Sequence, residues 1–578
     1  MVDTVTLPAS YQARGMDAKT LKALRQFVDQ RLFALREDRY SWWQHWAELA
    51  RYILPRRYRW LVTTNQQARG QEINQYIIDS TGTVAARVLS AGMMSGNTSP
   101  TRQWFNLRVE GYGSDETHPV NVWLSEVRDR MMRVFQESNF YNSAAIVYQD
   151  LAVFGTAPML IHENFENVIH CTNPCAGEYY VANNDKMQVG VFYREFTQTV
   201  AQLIEWFGEE NVSELVLRMW NQGGAEVQKE ILIAHAIEPN RGNPKVIPEK
   251  FSYREVYWER DSTEQEKFLS IRGYHEEPFA CPRWDISGND AYGRSPGMEA
   301  LGDIKQLQME TKRKAQIIDK IANPPMKADA ELQNKPSSTL PGAVTYLVKK
   351  DGVGFAPVYE NYRPPVQELM LDIQDVRERI RGSFFNDLFL MFQQLEAEPR
   401  SATAVDARRE EKMIMLGPVL ERLQTEFHDK VIDRVFAIMS RGKLLPDPPQ
   451  EIENKPIQVE YQSMLAAAQK AVETAGIERM YQVVGNMVGV NPDIRHKPNW
   501  EYSLEKYSAL LGNDPRLLVD NDTFKELVEG DRKQQQQAGA IAGAQGAADT
   551  AKTLSETDVG GGINAIQAML GTGQEGGV

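Results

Sequence analysis

Two helical segments that flank a proline-rich segment constrain the fold of this chain more than any other feature. Residues 296–322 begin with Pro296, a residue favoured in the first turn of a helix. Their apolar residues recur every three or four positions and should turn inward together: Leu301, Ile304, Leu307, Ala315 and Ile318. Residues 365–383 repeat this spacing with Val366, Leu369, Ile373, Val376 and Ile380, which is typical of a helix packed along other helices.

Residues 323–364, between these helices, contain six prolines. Two short runs, AVTYLV and VGFAPV, have strand composition and are joined by a plausible hairpin turn, Lys349-Lys350-Asp351-Gly352. We therefore predict a stalk of two helices that carries a small β-containing tip.

The N-terminal half, residues 1–295, has the composition of a mixed α/β body. Residues 17–55 and 120–162 show helical periodicity, whereas residues 168–260 consist of strand-like runs between Gly, Asn and Pro. One helix, TVAQLIEWFG, interrupts those strands.

The stretch AGMMSGNTSPTRQWFNL, residues 91–107, has poor composition for a core or an active site. A helix that starts at Ser80 or Thr81 should end near Gly92 and Gly96, because glycine often terminates helices. Ser99-Pro100 favours an extended exit, and the residues from Trp104 onward alternate like a strand.

The C-terminal half is predicted to be mostly helical. Residues 405–457 combine a long helix, which Gly417-Pro418 should kink, with a proline-rich connector. Residues 458–530 look all-helical, and residues 531–578, rich in Gln, Ala and Gly, are predicted to be a disordered or weakly helical tail.

Charge and cysteine content exclude several classes of protein. The formal net charge of −14 argues against sequence-independent clamping on DNA, which relies on Lys and Arg. Three cysteines are too few for a disulfide scaffold. The N-terminus lacks signal-peptide features, and the longest charge-free apolar run, LAVFGTAPMLI, is too short to span a bilayer. These features predict a soluble cytoplasmic product with no membrane partner.

No motif supports an enzyme. The chain has no phosphate-binding loop and no Ser/His/Asp elbow. Cys171 and Cys175 form half of a zinc pattern without a second pair, and His235 has the surroundings of a packed histidine. Asp447 and Glu453-Asn454-Lys455 resemble a nuclease motif, but the proline-rich gap leaves no room for the two strands that would hold its metal. We predict no catalytic residues, no metal and no cofactor.

Several collinear segments resemble the head-to-tail connector, or portal, proteins of short-tailed bacteriophages. They span roughly residues 15–500 and include RYILP, LSAGMMSGNTSPTRQWFNL, GEYYVANND, YGRSPGMEALGDIKQLQ, NPPMKA, LPGAVTYL, SFFNDLFLM and EEKMIMLGPVLERLQTE. The combination is specific even though each segment is short.

The resemblance implies an α+β, mainly helical portal fold in a ring of about twelve subunits at one capsid vertex. The implied parts are an α/β wing (1–295), stem helices (296–322 and 365–383), a clip (323–364), a channel loop (384–404), a kinked wing helix with connector (405–457), a helical crown (458–530) and a flexible tail (531–578).

The implied function is a conduit for packaging and ejecting double-stranded DNA. The implied partners are the major capsid protein, a scaffolding protein, the large terminase subunit and a tail adaptor protein, the last two docking through the clip. The implied location is the virion, after assembly in the host cytoplasm. The alternative is a capsid assembly or scaffold-type ring that conducts no DNA.

The resemblance also assigns residues to these parts. Expected DNA-facing channel-loop residues are Gln393, Gln394, Glu396, Glu398 and Arg400, although the same segment suits an ordinary surface loop. Expected stem residues are Lys312, Arg313, Lys314, Glu368, Asp372, Asp375, Arg377, Glu378, Arg379 and Arg381. These charges could face DNA, pair between neighbouring stems or form a solvated helix face. Expected docking residues of the clip are Lys349, Lys350 and Asp351.

Overall fold

The computed structural model describes residues 11–12, 16–57, 74–109, 118–241, 246–328, 355–357, 365–389, 416–449, 457–461, 464–488, 493–494, 497–511, 517–519 and 521–557. The chain divides into two compact units: Met1–Tyr112 with Glu126–Gln469, and Gly113–Ser125 with Lys470–Val578. Helices and strands are both present and helices predominate, in agreement with the predicted α+β class.

The described elements follow in chain order. The α-helices are α1 (Ala18–Tyr52), α2 (Thr81–Asn97), α3 (His118–Glu137), α4 (Phe140–Phe154), α5 (Val200–Phe207), α6 (Glu214–Gln222), α7 (Pro296–Ala322), α8 (Val366–Ser383), α9 (Asp429–Arg441), α10 (Met464–Val488), α11 (Trp500–Leu511) and α12 (Asn521–Glu556). The strands are β1 (Tyr11–Gln12), β2 (Phe105–Val109), β3 (Met159–Asn164), β4 (Val168–Thr172), β5 (Tyr179–Asn183), β6 (Val189–Thr199), β7 (Glu230–Pro239), β8 (Tyr253–Glu259), β9 (Ser270–Tyr274), β10 (Phe279–Ala280), β11 (Met326–Ala328), β12 (Phe355–Pro357) and β13 (Ile457–Tyr461).

A six-stranded antiparallel sheet forms the centre of the first unit, in the order β1-β9-β8-β7-β6-β5. Helix α1 packs on it, with Leu24, Val28 and Leu32 completely buried in one core with Val256 and Trp258 of β8. The spacing of four residues places these leucine and valine side chains on one face. The helix predicted over residues 17–55 is therefore confirmed.

A second core covers another part of the sheet. It contains Val200 and Leu203 of α5 and Val216 of α6, packed with Ile233 and Tyr257. Helix α5 was predicted, but α6 was not.

The helical prediction for residues 120–162 is right as far as Phe154 and wrong beyond it. Helix α4 ends at Gly155, which adopts a left-handed conformation (φ 75°) and donates its N–H to the Leu151 carbonyl. Residues 159–162 belong instead to β3, in a three-stranded sheet of order β10-β3-β4.

Helix α2 runs past Gly92 and ends at Asn97, one residue after Gly96, so the predicted end is right at Gly96 and wrong at Gly92. A Cβ at Gly92 would lie 2.2 Å from the Phe389 ring, so the glycine permits close approach of two segments rather than helix termination. The predicted strand follows at β2 and is confirmed from Phe105 onward.

Strand β2 pairs antiparallel with β13, so that Phe105 lies opposite Tyr461 and Val109 opposite Ile457. The prediction of an all-helical segment from residue 458 is therefore wrong for residues 458–461. The partner strand lies far away in sequence, and local periodicity does not record such pairing.

Residues 416–441 form one continuous helical segment, of which residues 424–428 are a π-helical turn. Its buried apolar residues include Leu416, Leu423, Phe427, Val431 and Val435. Within residues 416–441, the regular α-helical geometry is interrupted by this π-helical turn. The kink expected at Gly417-Pro418 stays a prediction, because residues 403–415 lie outside the described residues.

The second unit contains α10 from Lys470 onward, α11 and α12, together with residues 118–125 of α3. Of the two alternatives predicted for the segment from residue 531, disordered or weakly helical, the structure shows a helix up to Glu556, where α12 ends. Its Ala, Gln, Glu and Lys residues have high helix propensity and no proline interrupts them. Residues 558–578 lie outside the described residues.

Candidate functional site

Helices α7 and α8 form an antiparallel hairpin, as predicted from the two helical segments that flank the proline-rich segment. Near the start of α7, Asp303 Oδ1 lies 3.4 Å from Arg379 Nη2, close to the end of α8. Ser295 precedes the first residue of α7, and its Oγ accepts from the Met298 N–H at 3.1 Å and donates to the Val153 carbonyl at 2.6 Å. The side chain therefore caps α7 and ties it to the end of α4.

The half of the hairpin that includes the start of α7 and the end of α8 is embedded in the first unit. The buried residues are Leu301, Ile304 and Leu307 of α7 and Ile373, Val376 and Ile380 of α8, all of which were predicted to face inward. The prediction is wrong for Ala315 and Ile318, which are exposed. Ile318 is 49% exposed because α7 has passed the described body of the subunit by this residue.

Asp79, just before α2, attaches both helices of the hairpin to the body. Gln308 of α7 accepts the Ile78 and Asp79 N–H groups through Oε1, at 2.7 and 2.8 Å, and donates from Nε2 to the Asp79 carbonyl at 2.9 Å. From α8, Arg377 donates to Asp79 Oδ2 from Nε at 3.0 Å and from Nη2 at 2.6 Å. We call these three residues, Asp79, Gln308 and Arg377, the stem anchor.

The electrostatics of the stem anchor favour an ionised Asp79. Burial acts to raise the pKa of this carboxyl, but hydrogen bonds from Thr81 and Arg377 outweigh that effect and lower it. The charge pair is consequently a fixed feature of the neutral-pH fold. Sequence reasoning missed both roles: Asp79 belongs to no quoted motif, and Gln308 ends the motif YGRSPGMEALGDIKQLQ without any sign of its partner.

The predicted stem residues separate into two groups. Arg377 belongs to the stem anchor, and Arg379 pairs with Asp303 and with Asp375. The others lie on the hairpin surface, where Lys314 is half-buried and the rest are exposed: Lys312, Arg313, Glu368, Asp372, Glu378 and Arg381. The predicted run 312–314 is thus at the surface, but the structure does not by itself show a DNA contact there.

At the far end of the hairpin, β11 pairs antiparallel with β12, with Met326 opposite Pro357 and Ala328 opposite Phe355. The predicted strand VGFAPV is confirmed over Phe355–Pro357, whereas the strand in NPPMKA was missed. AVTYLV and the clip residues Lys349, Lys350 and Asp351 lie outside the described residues.

The first six residues of the expected channel loop, 384–389, are a turn and a short helix. Phe384 and Leu388 are buried, and Phe385 packs against Trp284 with ring centroids 6.1 Å apart. The expected DNA-facing residues Gln393, Gln394, Glu396, Glu398 and Arg400 lie outside the described residues.

A buried ion pair fixes the long helix 416–441 to the body. Arg283 Nη2 lies 2.5 Å from Glu426 Oε1, and the Arg283 backbone N–H and Nε both donate to Oε2, at 3.0 and 3.2 Å. The side chains of Arg283 and Glu426 are 0% and 6% exposed. Glu426 ends the motif EEKMIMLGPVLERLQTE, but nothing in the sequence marks Arg283 as its partner.

Further along the same helix, Arg441 donates to Glu163 Oε1 and Glu276 Oε2, each at 2.8 Å, and Arg434 also contacts both carboxylates. Burial acts to raise the pKa of Glu276, but the hydrogen bond from Arg441 and the nearby charge of Arg434 lower it. These contacts hold α9 against β3 and the segment that follows β9.

His235 and the cysteines have structural environments. His235 is completely buried, accepts from Arg194 Nε through Nδ1 at 3.0 Å and lies 2.9 Å from Glu255 Oε1 through Nε2, as expected of a packed histidine. Burial raises the pKa of the Cys171 thiol to about 12, and Cys171 and Cys175 are free thiols. Both the half-zinc pattern and the histidine are therefore parts of the packed body.

The described part of the chain contains no cluster of three or more His, Cys, Asp or Glu side chains arranged to hold a metal. Within the same residues, no helix combines the length and apolar character required to cross a lipid bilayer.

Comparisons with known proteins extend over nearly the whole chain. The family profile described as "Bacteriophage head to tail connecting protein" matches residues 25–518. The "Portal protein" of Salmonella phage epsilon15 is 40% identical over 530 residues, which cover 91% of this chain and 94% of that protein. The "Probable portal protein" of Bordetella phage BPP-1 is 38% identical over 538 residues, covering 92% and 96%. The resemblance inferred from short motifs is confirmed: the chain belongs to the bacteriophage head to tail connecting protein family, the family of phage portal proteins.

Proposed function

We propose that this portal protein assembles into a ring of about twelve copies at one capsid vertex and that double-stranded DNA passes through the centre of the ring. The observation that carries the proposal is the hairpin of α7 and α8, anchored at one end by Asp79 and uncovered at the other. Ile318, Ile321 and Leu371 are 49%, 51% and 68% exposed on its surface. A closed ring of identical copies would cover such apolar side chains.

The charge of the chain supports passage of DNA without tight binding. The net charge is −14, and the hairpin carries both signs. A polyanion is held by runs of Lys and Arg, so a mainly acidic ring favours sliding over retention. In this proposal, residues 384–404 continue from the buried turn at Phe384 into a channel loop, and Gln393, Gln394, Glu396, Glu398 and Arg400 face the DNA.

The remaining parts of the proposal concern partners. The tip, residues 323–364, would dock the large terminase subunit during packaging and the tail adaptor protein afterwards, with Lys349, Lys350 and Asp351 in the contact. The major capsid protein and a scaffolding protein would be further partners during assembly in the host cytoplasm. Residues 458–530 would form the crown. The ring itself is proposed to be non-enzymatic, so that ATP hydrolysis belongs to the motor.

Native mass spectrometry and negative-stain imaging of one purified sample test the ring. Closed rings of about twelve copies with a central hole are expected. ATP hydrolysis and DNA cleavage are assayed on the same sample, and either activity copurifying with the ring would contradict a non-enzymatic portal.

A packaging assay then tests the conduit. A variant that lacks residues 391–402 should form rings and enter capsids, yet yield at least tenfold less nuclease-protected DNA than the unaltered chain. If capsids filled normally without any portal ring, the protein would instead be an assembly or scaffold-type ring that conducts no DNA.

A further inference from the structure

The exposed surface of α7 carries a patch of one charge sign around a single apolar residue. Its members are spaced at i, i+3, i+4, i+7 and i+11 and share one side of the helix: Met309, Lys312, Arg313, Gln316 and Lys320. All five are exposed, and Met309 is 50% exposed. We call this set the basic face.

Helix α8 carries a mainly acidic patch with nearly the same spacing, and the exposed Arg379, at i+11, lies on the same side of the helix. Its members stand at i, i+3, i+4, i+7 and i+10: Glu368, Leu371, Asp372, Asp375 and Glu378. All five are exposed, and Leu371 is 68% exposed. We call this set the acidic face.

The two faces do not neutralise each other within one subunit. Among the described residues, Lys312, Arg313 and Lys320 form no ion pair, and neither do Glu368 and Asp372. Of the acidic face, Asp375 alone has a described cationic partner, Arg379. Asp375 apart, the charged members of both faces therefore have no described ion-pair partner within the subunit.

The two faces overlap in height along the hairpin. The Arg379–Asp303 contact sets residue 379 level with residue 303 in the antiparallel pair. Since each helix rises by the same distance per residue, Asp372 is level with residue 310 and Glu368 with residue 314. The heights of Lys312 and Arg313 fall between these two carboxylates.

We propose that the basic face of one copy packs against the acidic face of the next copy around the ring. The inference deepens the proposed function, on which it rests, by naming the surfaces through which the hairpins meet. Such a contact joins two different surfaces of neighbouring copies, and it closes into a ring when the rotation between copies permits. Met309 and Leu371 supply apolar contact between the two copies. Because single exposed ion pairs add little stability, the charges mainly select which face meets which and fix the register of the contact.

Two charge-reversal variants test the proposal. One carries Lys312→Glu, Arg313→Glu and Lys320→Glu, and the other carries Glu368→Lys, Asp372→Lys and Glu378→Lys. In each variant alone, both faces have the same sign, so rings measured by native mass spectrometry at low salt should fall at least tenfold. A 1:1 mixture should restore rings with an even number of copies and equal amounts of the two variants, because alternating copies again bring opposite signs together.

Two controls separate folding from assembly. The variant with all six reversals should assemble like the unaltered chain, since its faces are complementary again. A second control makes the same change in charge as the basic-face variant, but at exposed sites outside the hairpin: Lys19→Glu, Lys186→Glu and Lys533→Glu. It should leave ring formation unchanged. Circular dichroism and the thermal unfolding midpoint of each variant check that the subunit still folds.

The outcomes are distinguishable. If the unaltered chain never forms rings, the proposed function fails together with this inference. If the unaltered chain forms rings and either triple variant does so equally well, the inference fails and the function stands. Normal rings of the basic-face variant with altered DNA packaging would show that this face meets DNA instead. Loss of rings in both variants without recovery in the mixture would also overturn the pairing.

Discussion

Arg377 and Asp79 form a two-bond contact that joins the hairpin to the rest of the subunit. Nε and Nη2 of Arg377 both donate to Oδ2 of Asp79, at 3.0 and 2.6 Å, while Oδ1 accepts from the Thr81 N–H at 2.9 Å. Gln308 holds the backbone of the same aspartate from α7. The carboxylate of Asp79 therefore holds the start of α2 and α8, while its backbone holds α7.

Removing the partners of this contact separately should give a graded loss of stability. Asp79→Ala deletes the bonds to Arg377 and Thr81 together, and we expect a loss of about 2–3 kcal/mol, because hydrogen bonds to charged groups contribute about 1.5–3 kcal/mol. Arg377→Ala should cost less, about 1 kcal/mol, since Arg377 is 37% exposed and Asp79 keeps Thr81. Chemical denaturation measures both values. Equal stability of Asp79→Ala and the unaltered chain would show that the anchor contributes nothing.

Gly92 and Gly302 offer a matched pair of helical glycines with opposite expected effects. A Cβ at Gly92 would meet the Phe389 ring, so Gly92→Ala should destabilise the fold by about 1–3 kcal/mol through overpacking. Gly302 in α7 has no atom within 4 Å of a built Cβ, so Gly302→Ala should stabilise it by about 0.5–1 kcal/mol through helix propensity.

The thermal unfolding midpoints of the two glycine variants give opposite shifts if the packing is as described. The double variant Gly92→Ala, Phe389→Ala should be more stable than Phe389→Ala alone, because alanine at position 389 leaves room for the methyl group at position 92. A purely additive double variant would contradict the contact between Gly92 and Phe389.

His235 should make the fold weaken in mild acid. Burial lowers the pKa of this imidazole to about 4, against the hydrogen bond to Glu255 and with help from the charge of Arg194. In the unfolded chain a histidine titrates near 6.5. Between these values the unfolded state binds a proton that the folded state does not, so the stabilisation is complete above pH 6.5 and is lost as pH falls toward 4.

The size of this effect is up to about 3 kcal/mol, at about 1.4 kcal/mol per pKa unit. The measurement is the free energy of unfolding at a series of pH values from 7 to 4. His235→Gln should reduce the slope and leave a residual, because burial also lowers the pKa of His162 and His428, each to about 3. His275→Gln, at an exposed position, serves as the control and should keep the full slope.

The buried pair Arg283–Glu426 should be more costly to break than to replace. Arg283→Leu leaves the Glu426 carboxylate buried without its cation, and we expect a loss of about 3–5 kcal/mol. The double variant Arg283→Leu, Glu426→Leu removes both charges and should recover at least half of that loss. Denaturant titration measures the free energy of unfolding of the unaltered chain, the single variant and the double variant. A double variant no more stable than the single one would contradict the role assigned to the uncompensated charge.

The end of α12 should be dispensable for folding. The residues of α12 beyond 530 whose side chains are described are exposed, apart from a half-buried Leu554. Truncation after Gly530 should therefore shift the unfolding midpoint of the subunit by less than about 2 °C, because little apolar surface is lost. Differential scanning calorimetry measures the shift, and a large drop would mean that this helix is part of the folded core.

The sequence determined the elements whose signals are local. The spacing of Leu301, Ile304 and Leu307 and the position of Pro296 defined α7, and Ile373, Val376 and Ile380 defined α8, because the period of a helix and its first-turn chemistry are written in neighbouring residues. The family followed from collinear short motifs, which need no knowledge of the fold. The same local periodicity wrongly predicted that Ala315 and Ile318 face inward, because the apolar stripe of α7 continues beyond the body that would cover it.

Only the tertiary structure decided which segments meet. Asp79 with Arg377, Gly92 with Phe389 and β2 with β13 each bring together residues far apart in the chain. A sequence pattern shows that a side chain turns inward or that a strand can form, but it carries no record of the partner on the other side. Pairing, close approach and burial of charge are set by three-dimensional packing, and for that reason the stem anchor could be found only in the folded chain.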